Sequence, residues 1–321
     1  MTGGVVVTSR SFATEDATPQ RELEAAGLEV LRADPRHDAE ELRVVLRDAV
    51  AWIAGTSKVD DSLIALAPEL RIVARYGVGV DAVDVPAATR RGIWVTNTPG
   101  ANTDAVADLA VALTLDAVRH VSVSVAAVRR GDWTPRRGRE LGGATVGIVG
   151  FGRVGRAVAR RLAGFGATVL ACDPLLVPAD VTGAELVALE AIADRSDVVT
   201  LHAPGGSLRL DDRWFSRLRP GAVLVNTARE DLVDEGALAS ALRDGRVATY
   251  ACDTLTHDSA TGTGSPLLAA DLAGHLLLTP HIASHTREAI SRMGRMAVHN
   301  VLAVLRGEDP PNPVNRPEVP R

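Results

Sequence analysis

The chain has 321 residues, of which 46 % are hydrophobic and 23 % charged, with a formal net charge of −5. That length allows two domains with sizeable cores, and a mild negative charge spread without long runs argues against nucleic-acid binding, which calls for a basic face. Aromatic residues make up only 3 %, so the core must be built from Val, Leu, Ile and Ala.

In chain order, "GVVVTS" (4–9) reads as a strand and "PQRELEAAG" as a helix closed by Gly27. "LEVLRA" and "VAWIAG" read as strands, with "AEELRVVLRDA" between them as a helix. "RIVARYG" (71–77), a helix near "VPAATRRG" and the strand "IWVTNT" (93–98) follow. Residues 103–133 carry Val106, Leu109, Leu113, Ala117 and Val121 at steps of three and four, which predicts one long helix. Pro135 and "RRGRELGG" break that pattern.

A second alternating series begins at Ala144. Its strands are "TVGIVG", "ATVLACD", "DVVTLHAP", "AVLVNTAR", "TYACDT" and "HLLLTPH", most of them separated by helical segments such as "DEGALASALRDG" (234–245). A last helix is expected over roughly 285–306, and the Pro-rich tail "GEDPPNPVNRPEVPR" should be extended or partly disordered. Such alternation predicts the α/β class, with mostly parallel, doubly wound sheets covered by helices on both faces.

Cys172 and Cys252 lie in apolar strand-like runs, which is no disulfide framework and fits a reducing compartment. No apolar run approaches the ~18 residues that span a bilayer, and "MTGGVVVTSR" has no signal-peptide pattern. The expectation is a cytoplasmic protein without membrane partners.

"VGIVGFGRVG" contains Gly150-Phe151-Gly152-Arg153-Val154-Gly155. Alone, G-x-G-x-x-G is a weak signal. Here a buried strand precedes it, an apolar-periodic helix follows, and the next strand ends in Asp173, about 20 residues on, as in a dinucleotide-binding unit. Gly150 permits the tight turn, Gly152 lets backbone approach the pyrophosphate at the helix N-terminus, and Gly155 allows close helix–strand packing. Asp173 can accept from both ribose hydroxyls and would repel a 2′-phosphate; "PLL" (174–176) offers no Arg to reverse that. The prediction is NAD rather than NADP.

With these segments in place the sequence resembles the D-2-hydroxyacid dehydrogenases over nearly its whole length. The resemblance is carried by "RYGVGVDAVDVPAATRRGIWVTNTPGANTDAVAD", "GIVGFGRVG", "NTAREDLVDEGAL", "LTPHIASHT" and "NPVN", in the family's order. Within the family, the run from Arg75 through "NTPGAN" is most similar to short phosphoglycerate dehydrogenases without regulatory domains. The resemblance implies a substrate domain, residues 1–98 with 288–321, and a Rossmann NAD-binding domain, residues 99–287. It also implies a cleft between them and a homodimer joined partly through the long helix and the arm near Trp133.

The implied chemistry is reversible hydride transfer at C2 of a D-2-hydroxy acid. One group must take the hydroxyl proton in oxidation and return it in reduction, a task that suits histidine. His281 matches the family's "TPH"; His285, four residues on, reads as structural or exposed. Arg229 of "NTAR" matches the catalytic Arg, whose guanidinium fork can hold the substrate carboxylate and polarise the C2 oxygen; its plain alternative is an ion pair with Glu230 or Asp231. Val78 and Gly79 would offer backbone N–H groups to that carboxylate. The family's third catalytic residue is a Glu, and the match falls on Asp258, one methylene shorter, in a run of small residues that can let the loop move inward. Asp253 resembles the Asp at the nicotinamide carboxamide. His202, Ala203, Pro204 and Thr227, with Arg153 and Val154, complete the implied cofactor contacts.

Two departures stand out: "GGSLR" follows "LHAP" where the family often has Thr-Pro, and Asp108 stands where Glu is more usual. Arg75 matches the Arg that lies by the substrate phosphate in phosphoglycerate dehydrogenases, so the resemblance implies a small, doubly anionic substrate such as 3-phosphoglycerate or a phosphonate, with Arg136, Arg137 and Arg139 able to add positive potential; a domain ion pair is its plain reading. The alternatives are a glyoxylate or hydroxypyruvate reductase, and an NAD-sensing binding protein without catalysis. A metalloenzyme using His275, His281 and His285 is disfavoured, since no zinc-ligand spacing is present.

Overall fold

The computed structural model describes residues 3–255 and 264–317. The chain divides into two compact units, Met1–Asn102 with Ser284–Arg321, and Thr103–Ala283.

The first unit begins with β1 (Gly3–Val7), α1 (Thr18–Ala25), β2 (Leu28–Arg32), α2 (Ala39–Leu46), β3 (Ala49–Ala54), α3 (Asp61–Ile64), β4 (Ile72–Arg75), α4 (Val85–Arg90) and β5 (Trp94–Thr96). Aspartates start three of its helices. The carboxylates of Asp38, Asp60 and Asp84 accept first-turn N–H groups of α2, α3 and α4, groups that no helical carbonyl can satisfy. The five strands are all parallel in the order β2-β1-β3-β4-β5. Val6, Trp52, Val73 and Val95 form the centre of one core layer against Leu42, Leu46, Leu63 and Ala88.

The second unit holds α5 (Thr103–Arg119), α6 (Val121–Arg129), β6 (Thr145–Val149), α7 (Arg153–Ala163), β7 (Thr168–Cys172), β8 (Glu185–Leu186), α8 (Leu189–Arg195), β9 (Val198–Leu201), α9 (Asp212–Phe215), β10 (Ala222–Asn226), α10 (Glu235–Arg243), β11 (Val247–Cys252) and β12 (Leu276–Leu278). Its seven strands are again parallel, ordered β12-β11-β10-β9-β6-β7-β8. Counted from β6, that is the 3-2-1-4-5-6 order of a dinucleotide-binding sheet with one strand added. One core layer packs α5 and α7 on the sheet through Ala110, Leu113, Val158 and Leu162; the other packs α8, α9 and α10 through Ile192, Phe215, Leu238 and Leu242. These two sheets are the doubly wound arrangement that strand–helix alternation predicts.

α11 (Arg287–Leu305) completes the first unit, packing on α1 and on β4. Beyond it, the described part of the Pro-rich tail is tied to β5: Val314 N–H donates to Val95 O at 2.8 Å, and Pro313 bridges Thr96.

The helix expected over 103–133 is two helices. His120 adopts left-handed φ 56°, and α5 and α6 meet at a bend of 61°. The Asp116 carboxylate accepts from the N–H and hydroxyl of Ser122, so it satisfies the start of a new helix and the periodicity runs on across the break. The two-residue β8 has no counterpart in the sequence reading, being too short to show a period. Among the described residues no single helix is long and apolar enough to cross a membrane.

Candidate active site

In a parallel sheet every strand presents its carboxyl end to the same edge, and ligands bind there, at the point where strand order reverses. In the second unit that point lies between β6 and β9. Gly150 follows β6 and His202 follows β9. Gly150 has φ 88°, and a Cβ placed on it would overlap the backbone of His202 and Ala203, so the site needs glycine for both conformation and space. A Cβ on Gly155 would strike the Gly150 carbonyl, the close helix–strand approach that the spacing predicts. A Cβ on Gly152 would meet nothing within 4 Å. Gly152 opens α7, whose first turn receives no side-chain cap, so the N–H groups around Arg153 and Val154 are left to an incoming anion.

Asp173 directly follows β7. Its Oδ2 accepts from Phe151 N–H at 2.9 Å and its Oδ1 from Leu175 N–H at 3.0 Å. A carboxylate has about four acceptor positions, so lone pairs are left for ribose hydroxyls. This open cradle, uncapped helix start and carboxylate fit a dinucleotide.

Arg229 lies just beyond β10 and is half-buried. Asn226 shapes its turn, donating to Arg229 O at 2.8 Å and accepting from Ala228 N–H at 3.0 Å. One guanidinium nitrogen donates to Ala228 O at 2.8 Å. The "GG" departure has a steric reading here: a Cβ on Gly205 would lie 3.2 Å from Arg229 Cγ and 3.3 Å from both Asp231 carboxylate oxygens. Asp231 itself accepts from Gly206 N–H at 2.7 Å.

His281 follows β12 and is also half-buried, with left-handed φ 54°. A side chain bearing a Cβ reaches that region only when its surroundings hold it there. Asp253, buried at the end of β11, does the holding. Its carboxylate accepts from Thr279 Oγ1 at 2.5 Å, Ile282 N–H at 2.9 Å and Ala283 N–H at 2.8 Å, and its carbonyl accepts from His281 N–H at 3.1 Å. Asp253 N–H donates to Asn226 O at 3.0 Å, which ties the His281 loop to the Arg229 turn. Asp258, the expected carboxylate partner of His281, lies outside the described residues.

In the first unit, Arg75 ends β4, with Val78 exposed and Gly79 half-buried just beyond. Arg75 is only 9 % exposed and donates to Tyr76 O at 2.5 Å, so its guanidinium folds back under its own loop. The N–H groups of Val78 and Gly79 have no hydrogen-bond partner among the described residues.

The family model for the D-isomer specific 2-hydroxyacid dehydrogenase NAD-binding domain matches residues 111–283. A glyoxylate reductase of Thermococcus litoralis is 38 % identical over 277 residues, covering 81 % of this chain and 82 % of the relative. This chain belongs to the D-2-hydroxyacid dehydrogenase family. It is an NAD-dependent oxidoreductase.

Another relative of this dehydrogenase, the D-3-phosphoglycerate dehydrogenase of Mycobacterium tuberculosis, is 39 % identical over 286 residues, 87 % of this chain; the match spans only 53 % of that longer relative. Among solved structures, the NADPH-dependent glyoxylate/hydroxypyruvate reductase of Sinorhizobium meliloti aligns with TM-score 0.85 and 30 % identity, over 99 % of this chain and all of that one.

Several polar residues of the dehydrogenase have structural duties. Asp108 pairs with Arg161 at 2.6 Å, joining α5 to α7. Arg139 pairs with Asp197 at 2.8 Å. His275 Nδ1 lies 2.9 Å from Ala248 O, and His285 is exposed. Burial pushes the Cys252 thiol up to about 12 and raises that of Cys172, so both are poor nucleophiles. Desolvation pushes His202, which is half-buried, down to about 3; its Nε2 lies 2.9 Å from Thr200 Oγ1, and its Nδ1 has no partner among the described residues. The sequence reading missed Asp253 as the organiser of the His281 loop. The available signal was an Asp closing one strand, with "TPHIA" closing the next.

Proposed function

We propose that the enzyme interconverts a small D-2-hydroxy acid and its 2-oxo acid, with His281 as the acid–base group and Arg229 as the carboxylate anchor. The observation that carries this reading is the strained His281 loop, which three bonds from one buried carboxylate hold in a conformation it would otherwise avoid. NAD, when bound, supplies the acceptor for the C2 hydride. Neutral His281 takes the hydroxyl proton in oxidation, and the protonated ring returns it in reduction. Arg229 holds the substrate carboxylate and draws charge toward the C2 oxygen. The paired N–H groups of Val78 and Gly79 serve the same carboxylate, and Asp258 supports the His281 ring. Asp173 favours NAD over NADP by repelling a 2′-phosphate.

The test is NADH absorbance with a panel of 2-oxo and 2-hydroxy acids, with and without phosphate groups. Arg229→Ala is expected to lower kcat/KM about 100- to 1000-fold, roughly 3–4 kcal/mol of transition-state stabilisation. An unchanged kcat/KM would remove Arg229 from the reaction. A plain substrate such as glyoxylate or hydroxypyruvate fits best, because Arg75 is turned onto its own backbone. The second reading, 3-phosphoglycerate or a phosphonate, is favoured by the positive charge that Arg75 places at the end of β4, beside the Val78 and Gly79 loop. Turnover restricted to the phosphorylated acid and lost in Arg75→Ala would decide for it. The homodimer is also part of the proposal. Val121, Val125 and Val128 expose one apolar face of α6, with Trp133 80 % exposed beyond it; light scattering would give the mass in solution.

A further inference from the structure

We propose that Asn97 is a positioning residue for the substrate-carboxylate loop and that the C-terminal tail latches it in place. Asn97 follows β5 by one residue. Its Nδ2 donates to Val78 O at 2.8 Å, and the next residue, Thr98, donates its N–H to Gly77 O at 2.9 Å. Two consecutive carbonyls of the 77–79 loop are therefore tied down, while the N–H groups of Val78 and Gly79 have no partner among the described residues. Gly77, at φ 146°, supplies the turn that permits this.

Asn97 is itself held from two directions. Its carbonyl accepts from Asn300 Nδ2 at 3.2 Å, and its N–H donates to Asn312 O at 3.3 Å. Asn300 sits on α11 and is completely buried. A buried helix position is a costly place for Asn, which is a poorer helix former than Leu and must have its amide satisfied. Its Oδ1 accepts from Asn312 N–H at 3.1 Å and Asn312 Nδ2 at 3.3 Å, so it joins helix, tail and Asn97. Three residues on, Asn315 anchors the tail. Its Oδ1 accepts from Val95 N–H at 2.6 Å, and its Nδ2 donates to Thr89 Oγ1 at 2.8 Å and Ile93 O at 2.9 Å. All these residues belong to the first unit.

The proposal rests on reading the 77–79 loop as a carboxylate cradle, and the experiment separates the two. Steady-state kinetics with glyoxylate and hydroxypyruvate, each with NADH, would compare the wild type with Asn97→Ala, alongside amide exchange of Thr98. Loss of one loop bond is expected to raise KM for the 2-oxo acid about tenfold, with kcat and the KM for NADH within about twofold. Thr98 exchange is expected to quicken. Asn300→Ala should move the same parameters; because it empties a buried position and can fail to fold, Asn97→Ala carries the test. An unchanged substrate KM in a folded Asn97→Ala variant of an active enzyme overturns the positioning role and leaves the cradle standing. A wild type that turns over on no acid overturns the cradle, and the proposal with it.

Discussion

Each unit has a point where its strand order reverses, and the two points are built to opposite ends. In the second unit, Gly152 leaves open space beside an uncapped helix start. In the first unit, the reversal lies between β1 and β3, and side chains fill it. Thr8 Oγ1 accepts from Trp52 Nε1–H at 3.0 Å and Gly55 N–H at 3.3 Å, and its own proton goes to His37 Nε2 at 2.7 Å. The His37 ring completes the plug with Nδ1 2.8 Å from Lys58 O, against the Trp52 indole. A parallel sheet thus creates the opportunity for a site, while side-chain volume decides whether one exists. In the first unit the candidate substrate groups are displaced to the end of β4.

The comparison breaks most readily at Gly150. Gly150→Val forces a branched side chain into left-handed backbone and into His202, so NADH binding should weaken more than about 100-fold by fluorescence titration. Retained binding would mean that the open crevice is not the dinucleotide site. The matching change in the plugged crevice is Gly55→Ala, whose Cβ would lie 2.8 Å from Thr8 O. It should destabilise the first unit by about 1–3 kcal/mol in thermal unfolding and leave NADH affinity unchanged; weakened NADH binding would contradict the division of labour.

The smallest effect is in two desolvated imidazoles, the half-buried His202 and the buried His37. Burial depresses His202, and burial together with the Arg75 charge depresses His37 against the hydrogen bond to Lys58 O and the charge of Asp34. An unfolded histidine gains its proton near pH 6.5, whereas the folded groups resist. Their contribution to stability is therefore intact above about pH 6.5 and falls as the pH drops, for His202 until about 3. His202→Asn should reduce the slope of unfolding free energy below pH 6 by about one proton, and His37→Asn over a narrower range. Denaturant unfolding at stepped pH would measure both, and equal slopes in wild type and variants would rule out neutral burial.

Much of the candidate site was legible before any coordinates. Gly150, Gly152, Gly155 and Asp173 announce themselves because the turn, cradle and packing demands fall within one short strand–helix–strand stretch. Arg229 and His281 were found by resemblance to motifs, and Asp253 was singled out only as a cofactor contact. Its holding of Thr279, Ile282 and Ala283 joins residues more than 20 positions apart, which leaves no periodic trace. The latch is further out of reach, since Asn97 and Asn300 meet across 203 positions.

The sequence by itself determined the alternation of strands and helices, the dinucleotide loop and the order of the signature segments, since each depends on neighbours along the chain. Tertiary structure alone decided the break at His120, the filling of one crevice and not the other, and the tie between the tail and the 77–79 loop. Those depend on which distant groups meet in space, where a single lone pair or a missing Cβ settles the outcome.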